Sequence, residues 1–144
     1  MLLEARKRIE QTCGEIKLCS ATYITKAWGL EKLPDFHNQV VEIETIWSAQ
    51  ELLTFILEIE GDMGRKRTVK WSSRVIDIDI LFYGEEVINT SELLVPHPRI
   101  SERNFTLVPL MELCSDMNHP VLGVTIEELY LQSEDTLEVL MIEN

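Results

Sequence analysis

The sequence lacks any apolar run long enough to cross a membrane and any apolar segment near its start. Its first residues are Met-Leu-Leu-Glu-Ala-Arg-Lys-Arg, which mix charges with apolar side chains from the fourth position onward. A transmembrane helix needs about 20 consecutive apolar residues, and a secretion signal needs an uninterrupted apolar core. We therefore expect a cytoplasmic protein that does not bind membranes.

Cysteine is scarce, with only Cys13, Cys19 and Cys114 in 144 residues. An odd number without regular spacing, in a chain without a secretion signal, predicts reduced thiols rather than a disulfide framework. Cys13 and Cys19 also form no zinc-binding spacing with the three histidines. The sequence therefore predicts neither a disulfide scaffold nor a structural zinc site.

Positive charge is scarce as well: 13 Lys and Arg stand against 25 Asp and Glu, for a net charge of −12. Such a chain repels phosphate backbones, which argues against broad binding to nucleic acid or anionic membranes. Five of the cations nevertheless fall within ten residues, at Arg65, Lys66, Arg67, Lys70 and Arg74. This cationic island favours a small, compact anion as ligand, although a solvated loop with chance charges explains it equally well.

The chain also lacks both glycine-rich phosphate loops, Gly-x-x-x-x-Gly-Lys-Ser/Thr and Gly-x-Gly-x-x-Gly. Their absence excludes a P-loop or a protein-kinase architecture. The length, together with the absence of repeats and linkers, predicts one domain over residues 1–144.

Apolar spacing, capping signals and turn residues predict the order of the elements. Helices are predicted over 2–11, after the capping box at 48–51, over 106–114 and, after a second capping box, over 125–132. Strands are predicted over 16–25, 38–46 and 75–83, with Gly84-Glu85 turning the last one into a short partner strand at 86–88. The acidic tail after Gln132 is left unassigned.

This order matches a β-α-β-β-α-β unit without its first strand. We therefore expect an α+β, ferredoxin-like fold, in which a mainly antiparallel sheet carries helices on one face and the site on the other. Because the helical pattern begins at the first residues, we expect the first strand to be missing. That strand belongs between the third and the fourth, so its absence would leave ladder groups exposed on both neighbours.

The most informative stretch is Arg-Val-Ile-Asp-Ile-Asp-Ile-Leu-Phe at 74–82. Side chains alternate faces along a strand, so Asp77 and Asp79 project together, about 7 Å apart at their Cα atoms. Two such carboxylates suit divalent cations, and Mg²⁺ in particular keeps room for water and substrate phosphates. A half-exposed strand with polar residues outward is the alternative, but Asp is a poor strand former.

The cationic island precedes this pair and supplies charges that a triphosphate needs. Trp71 lies within the island, where an aromatic ring can close over a planar ligand. An ordinary, partly buried anchor is an equally good explanation of this tryptophan.

Several motifs occur together and in order: Asp-Phe-His-Asn at 35–38, Arg-x-x-Asp-x-Asp at 74–79, Val-Pro-His-Pro at 95–98 and Arg-Asn-Phe at 103–105. With these motifs the chain resembles the 6-hydroxymethyl-7,8-dihydropterin pyrophosphokinase family of folate biosynthesis, over essentially the whole length to about Gly123. The family begins with a strand and a Gly-Ser-Asn-Leu-Gly loop, and this sequence has neither.

The resemblance implies transfer of pyrophosphate from ATP to the pterin alcohol, giving AMP and the pterin diphosphate without a covalent enzyme intermediate. It implies two Mg²⁺ ions, held by Asp77 and Asp79, and a fusion or contact with other folate-pathway enzymes is also compatible with it. The implied catalytic residues are Asp77, Asp79, Arg74 and Lys70. The implied ATP-binding residues are Leu53, Glu60, Arg67, Lys70, Arg74, His97 and Arg103.

The pterin-binding residues implied by the resemblance are Thr25, Trp28, Phe36, Asn38, Trp71 and Phe105. Phe36 and Phe105 would stack on the flat pterin from either side, and Asn38 would read the hydrogen-bonding edge of its ring. Without the family context, these two phenylalanines are ordinary core aromatics and His97 is an ordinary loop histidine.

Two other functions stay open at the level of the sequence. The same topology serves RNA-recognition domains, whose sheet aromatics stack on bases, although two exposed Asp and the acidic charge oppose this. A relative that binds ATP or pterin with little or no turnover is the other alternative, and release of AMP would distinguish an active enzyme from it.

Overall fold

A computed structural model describes residues 1–25, 36–65 and 76–142, with Arg65 described at its backbone only. Helix α1 spans Leu2–Thr12 and helix α2 spans Ala49–Arg65, as predicted. The predicted capping box opens α2: Ser48 Oγ accepts the Glu51 N–H at 3.1 Å, and Glu51 Oε1 accepts the Ser48 N–H at 3.1 Å. Both helices bury one apolar stripe each in a shared core, formed by Ala5, Ile9, Cys13, Leu52, Ile56, Ile59 and Met63.

The two long strands that the sequence predicts are each broken in the middle. The observed strands are β1 (Glu15–Cys19), β2 (Thr22–Thr25), β3 (Phe36–Asn38) and β4 (Val41–Glu44). At the breaks, side-chain hydrogen bonds stand beside one backbone bond, from the Ser20 N–H to the Val40 carbonyl at 2.9 Å. Ser20 Oγ accepts the Val40 N–H at 3.0 Å, and Gln39 donates its side-chain N–H to the Ser20 carbonyl at 2.7 Å. The chain therefore passes from one sheet to another where periodicity predicted one continuous strand.

Every strand pair in the described residues is antiparallel. One sheet pairs β1 with β4, and a second has the order β3-β2-β7, where β7 is Val139–Ile142. The unassigned tail thus contributes a strand, since Thr25 pairs with Val139 and Thr22 with Ile142.

Glycine at position 14 is required by the approach of β1 to β4. A Cβ atom there would lie 2.2 Å from the Glu44 carbonyl oxygen, well inside van der Waals contact. Only a residue without a side chain fits beside this neighbouring backbone.

Residues 76–83, here called the Asp segment, are not a strand, and the prediction of a strand over 75–83 is wrong in that respect. A strand is recognised by its ladder bonds, and no ladder pairs the Asp segment with any described residue. The alternation itself is present. Ile76, Ile78 and Ile80 are half-buried against the α1–α2 core, whereas Asp77 and Asp79 are exposed.

The predicted partner strand at 86–88 is also wrong. The chain turns after the Asp segment as expected, with Gly84 at φ +55° and the Glu86 N–H bonded to the Tyr83 carbonyl at 3.0 Å. The strand that follows, β5 (Ile88–Asn89), pairs instead with β6 (Leu94–Val95), which comes later in the chain.

Two helices close the second core. Helix α3 spans Asn104–Cys114 and α4 spans Ile126–Gln132, close to the predicted bounds, and α4 opens with the predicted capping box. Their buried side chains are Leu107, Leu110, Ile126 and Leu129, with Ile100 beside them, and Leu81 and Phe82 of the Asp segment pack against this cluster. The fold class is α+β with antiparallel sheets, as predicted for a ferredoxin-like protein. None of the described helices is long and apolar enough to cross a bilayer.

A cavity of about 760 Å³, here called the sheet cavity, lies between β4 and the Asp segment. Its lining includes core residues of both helices, such as Ile9 and Ile56, as well as Asp77 and Asp79. It therefore runs through the sheet layer from the helices to the opposite face. The expected topology puts the first strand at this place, and no strand of the described residues fills it.

Candidate active site

The site is built on the exposed face of the Asp segment. Packing of the isoleucines against α1 and α2 turns the carboxylates of Asp77 and Asp79 away from the helices, and 54% of the Asp79 side chain is exposed. The sequence-based prediction that both carboxylates share one face is thus met by the geometry. Their role as metal ligands stays a prediction.

His97 lies beside the carboxylate pair. Its Nε2 atom is 3.9 Å from Asp79 Oδ2, too far for a hydrogen bond but close enough for an electrostatic contact. Its Nδ1 accepts the Arg99 N–H at 3.2 Å, which in the neutral ring leaves the proton on Nε2, the nitrogen nearer Asp79. Burial lowers the pKa of His97, while the Asp79 carboxylate opposes that shift. The ring is therefore favoured in its neutral form.

The backbone of His97 also ties its loop to the Asp segment, because the His97 N–H donates to the Leu81 carbonyl at 2.9 Å. Sequence reasoning missed this link. A backbone bond across sixteen residues leaves no side-chain signature, although the Val-Pro-His-Pro motif marked the loop itself.

Glu60 reaches the same segment from α2. Its Oε2 accepts the backbone N–H of Ile78 at 2.6 Å, between the two aspartates. The sequence suggested Glu60 only as a nucleotide contact, so this bond was also missed. Among the other predicted ATP-binding residues, Leu53 is half-buried against the cluster of Ala49, Leu93 and Val95.

Three residues of the predicted pterin set, Thr25, Phe36 and Asn38, lie on β2 and β3. Asn38 donates its side-chain N–H to Thr25 Oγ1 at 3.2 Å, and Thr25 is the ladder partner of Phe36. Phe36 is 60% exposed, so the alternative that it is a core aromatic is wrong. Thr25 is buried and fixes the Asn38 amide in place.

Phe105 and Arg103 stand at the start of α3. The guanidinium carbon of Arg103 lies 5.3 Å from the centre of the Phe105 ring, a cation–π geometry. Asn38, Phe105 and both aspartates line the sheet cavity together. The structure thus brings two predicted pterin residues and the carboxylate pair to one cavity. Five predicted site residues lie outside the described residues: Trp28, Arg67, Lys70, Trp71 and Arg74.

The donor set at the pair suits magnesium better than zinc. No group of three or more His, Cys, Asp or Glu in the described ranges could by itself enclose a metal ion. Mg²⁺ is commonly held by one or two carboxylates together with water and substrate phosphates, whereas structural zinc needs four protein ligands. Two exposed carboxylates therefore fit a cation that arrives with a nucleotide.

Comparison with known proteins decides the family. The family model of 7,8-dihydro-6-hydroxymethylpterin-pyrophosphokinase matches residues 1–115. The chain belongs to this family. The resemblance inferred from the motifs is thereby confirmed, and so is the enzyme class, a transferase.

Individual relatives agree with the family assignment. The 2-amino-4-hydroxy-6-hydroxymethyldihydropteridine pyrophosphokinase of Aquifex aeolicus is 40% identical over 137 residues, which cover 95% of this chain and 84% of that protein. The Synechocystis enzyme of the same name is 38% identical, with 85% of this chain and 62% of that protein covered. The folic acid synthesis protein fol1 of Pneumocystis carinii is 33% identical over 90% of this chain, but the match covers only 17% of fol1. The chain therefore spans less than two thirds of two of these three relatives.

Proposed function

We propose that this chain transfers pyrophosphate from ATP to 6-hydroxymethyl-7,8-dihydropterin, releasing AMP and the pterin diphosphate. Membership in a family of pterin pyrophosphokinases of folate biosynthesis supports this reaction. The observation that carries it is the exposure of Asp77 and Asp79 at a cavity that Asn38 and Phe105 also line. Phosphate chemistry and recognition of a planar ring thus have their residues in one place.

Asp77 and Asp79 would hold Mg²⁺ together with the phosphates of ATP, two ions being the number that the family resemblance implies. When bound, magnesium would supply positive charge that neutralises the phosphate oxygens. His97, beside Asp79, can donate from Nε2 to a phosphate oxygen, because its Nδ1 is already occupied as an acceptor. Arg67, Lys70, Arg74 and Arg103 are the cations that we assign to the nucleotide.

The pterin would lie against Phe36 and Phe105, whose rings offer apolar faces for stacking. The Asn38 amide is fixed by its bond to Thr25, so it presents its other polar atoms to a ligand in a set orientation. We assign Trp28 and Trp71 to the same pocket. Catalysis then consists of positioning and charge stabilisation, because phosphoryl transfer of this kind needs no covalent enzyme intermediate.

We also propose that the chain works in the cytoplasm within folate synthesis. The fol1 match supports a physical link between such domains and other folate enzymes, because a protein named for folic acid synthesis carries the matched region as a small part of its length.

The test is a reaction with defined products. The purified chain is incubated with ATP, Mg²⁺ and 6-hydroxymethyl-7,8-dihydropterin, and AMP and the pterin diphosphate are quantified by chromatography with mass detection. We expect equal amounts of the two products, and no AMP when the pterin or Mg²⁺ is omitted. Release of ADP instead of AMP, or AMP without pterin diphosphate, would reject the proposed reaction.

A second candidate function is binding of ATP or pterin with little or no turnover. The observation in its favour is that no described strand pairs with the Asp segment and that the sheet cavity opens beside it. Calorimetric titration with α,β-methylene ATP and with the pterin would show binding, and absence of AMP in the assay above would then identify this case.

A further inference from the structure

We infer that Glu60 is a positioning residue, which sets the geometry of the carboxylate pair by holding the backbone amide between Asp77 and Asp79. This inference rests on the proposed function for its consequence and on the described geometry for its basis. We assign this positioning role to Glu60 in place of the nucleotide contact that the family resemblance implies.

The contact is a short hydrogen bond from a backbone amide to a carboxylate. Glu60 Oε2 lies 2.6 Å from the Ile78 nitrogen, and a charged acceptor strengthens such a bond. Glu60 is half-buried on α2, next to Ile59 and one turn after Ile56, both of which are buried in the core against which Ile78 packs. The side chain of Ile78 and its amide are thus both held by the same face of α2.

The amide of Ile78 belongs to the peptide group that also contains the Asp77 carbonyl. Fixing this peptide plane fixes ψ of Asp77 and φ of Ile78, and thereby the directions in which both aspartate side chains leave the backbone. In an ordinary sheet, a hydrogen bond of the ladder fixes the peptide plane. Here no described strand supplies one, and the Glu60 carboxylate takes the place of the ladder carbonyl.

Amide exchange tests the contact. In wild type, we expect the Ile78 amide to exchange slowly, and Glu60→Ala to accelerate it at least about tenfold. Glu60→Gln retains an acceptor oxygen and should restore most of the protection. Glu58→Ala is the matched control, because Glu58 is exposed on the opposite face of α2. The Tyr23 amide in the central strand β2 should be unchanged in all variants, which separates a local effect from general destabilisation.

Metal binding tests the consequence without requiring turnover. Mn²⁺ is titrated into each variant with saturating α,β-methylene ATP and followed by electron paramagnetic resonance. Residues that orient metal ligands typically contribute about tenfold to a hundredfold in metal affinity. We expect Glu60→Ala to weaken Mn²⁺ binding by about tenfold, Glu60→Gln by less, and Glu58→Ala not at all.

The inference is overturned if Glu60→Ala leaves the exchange of the Ile78 amide unchanged. It is equally overturned if exchange accelerates but Mn²⁺ affinity stays the same while the affinity for α,β-methylene ATP falls, because Glu60 is then a nucleotide contact. Failure of wild type to form AMP would reject the proposed reaction, yet both measurements above would still decide the role of Glu60.

Discussion

Strand β2 and the Asp segment both contribute side chains to the interior, yet their backbones are held in different ways. Strand β2 has an antiparallel ladder on each edge, with β3 on one side and β7 on the other. The Asp segment has no ladder in the described part of the chain. Its apolar side chains pack against both cores, and individual hydrogen bonds from other parts of the chain reach it. Glu60 accepts from the Ile78 amide, the Leu81 carbonyl accepts from the His97 amide, and the Tyr83 hydroxyl donates to the Trp47 carbonyl.

In the Asp segment, alternation predicts which side chains face the core, but it does not predict whether the backbone is paired. In a ladder, many hydrogen bonds together hold a strand, so the loss of one bond has a small effect. Few hydrogen bonds hold the Asp segment, so the loss of one bond has a larger effect. The segment that carries the candidate metal ligands is thus the one whose geometry individual side chains can alter. Functional elements are often drawn from the less stable parts of a fold.

The largest expected effect on stability concerns the paired side of the comparison. Gly14→Ala places a Cβ 2.2 Å from the Glu44 carbonyl oxygen, where β1 meets β4. We expect a loss of about 3 kcal/mol in the free energy of unfolding, measured by urea denaturation. Gly64→Ala is the control, because nothing lies within 4 Å of its added Cβ, and it should be neutral or slightly stabilising. Equal stability of the two variants would show that β1 and β4 are not this close.

Amide exchange compares the two regions directly. The Tyr23 amide lies in a strand that is paired on both edges, and the Asp79 amide lies in the unpaired segment. We expect the Asp79 amide to exchange on the order of a hundredfold faster than that of Tyr23, since local opening needs far less free energy where no ladder is broken. Equal protection would mean that the Asp segment is paired in solution.

The hydrogen bond from the Tyr23 hydroxyl on β2 to Glu112 on α3 predicts that the stability of the fold depends on pH. Burial, together with the hydrogen bond to Glu112 and its negative charge, raises the pKa of Tyr23 to about 12. In the unfolded chain the pKa of tyrosine is near 10. The contribution of the Tyr23 hydroxyl to the free energy of unfolding is therefore complete below about pH 10 and is lost between about pH 10 and 12. We expect the stability difference between wild type and Tyr23→Phe to shrink across that range. Tyr130→Phe, at an exposed position on α4, is the control for the removal of a tyrosine hydroxyl elsewhere in the fold.

The smallest expected effect on stability concerns the hydrogen bond between Tyr83 of the Asp segment and Trp47. Tyr83→Phe removes the hydroxyl that donates to the Trp47 carbonyl and keeps the ring in its place. We expect the free energy of unfolding, measured by thermal denaturation, to fall by about 1 kcal/mol. We also expect faster exchange of amides within the Asp segment. Faster exchange in β2 instead would show that this hydrogen bond serves the whole fold.

The parts of the fold that could be predicted from sequence are those with local signals. Helices α1, α2 and α4 follow from apolar spacing and from the capping boxes at Ser48 and Thr125, because these bonds join residues three apart. The break after Cys19 and the pairing of β7 could not be predicted. They depend on partners far away in the chain, such as Val40 for Ser20, and no local pattern encodes such contacts.

The site residues likewise divide into those that a local sequence pattern predicts and those that it does not. Alternation at 76–80 predicts that Asp77 and Asp79 share one exposed face, and the motifs pointed to His97 and Asn38. The link of Glu60 to Ile78 could not be predicted, because its acceptor is a side chain and its donor is a backbone amide that any residue would provide. Sequence patterns describe side chains well and backbone partners poorly.

The measurement that tests the central claim most directly is the rate of AMP formation in variants of the carboxylate pair. Asp77→Ala and Asp79→Ala are compared with wild type and with Glu85→Ala, which removes an exposed acid just after the Asp segment. At saturating Mg²⁺ and substrates, we expect each aspartate variant to lose on the order of a thousandfold in rate and to keep the wild-type circular dichroism spectrum, while Glu85→Ala stays fully active. Near wild-type turnover in either aspartate variant would contradict the assignment of the pair.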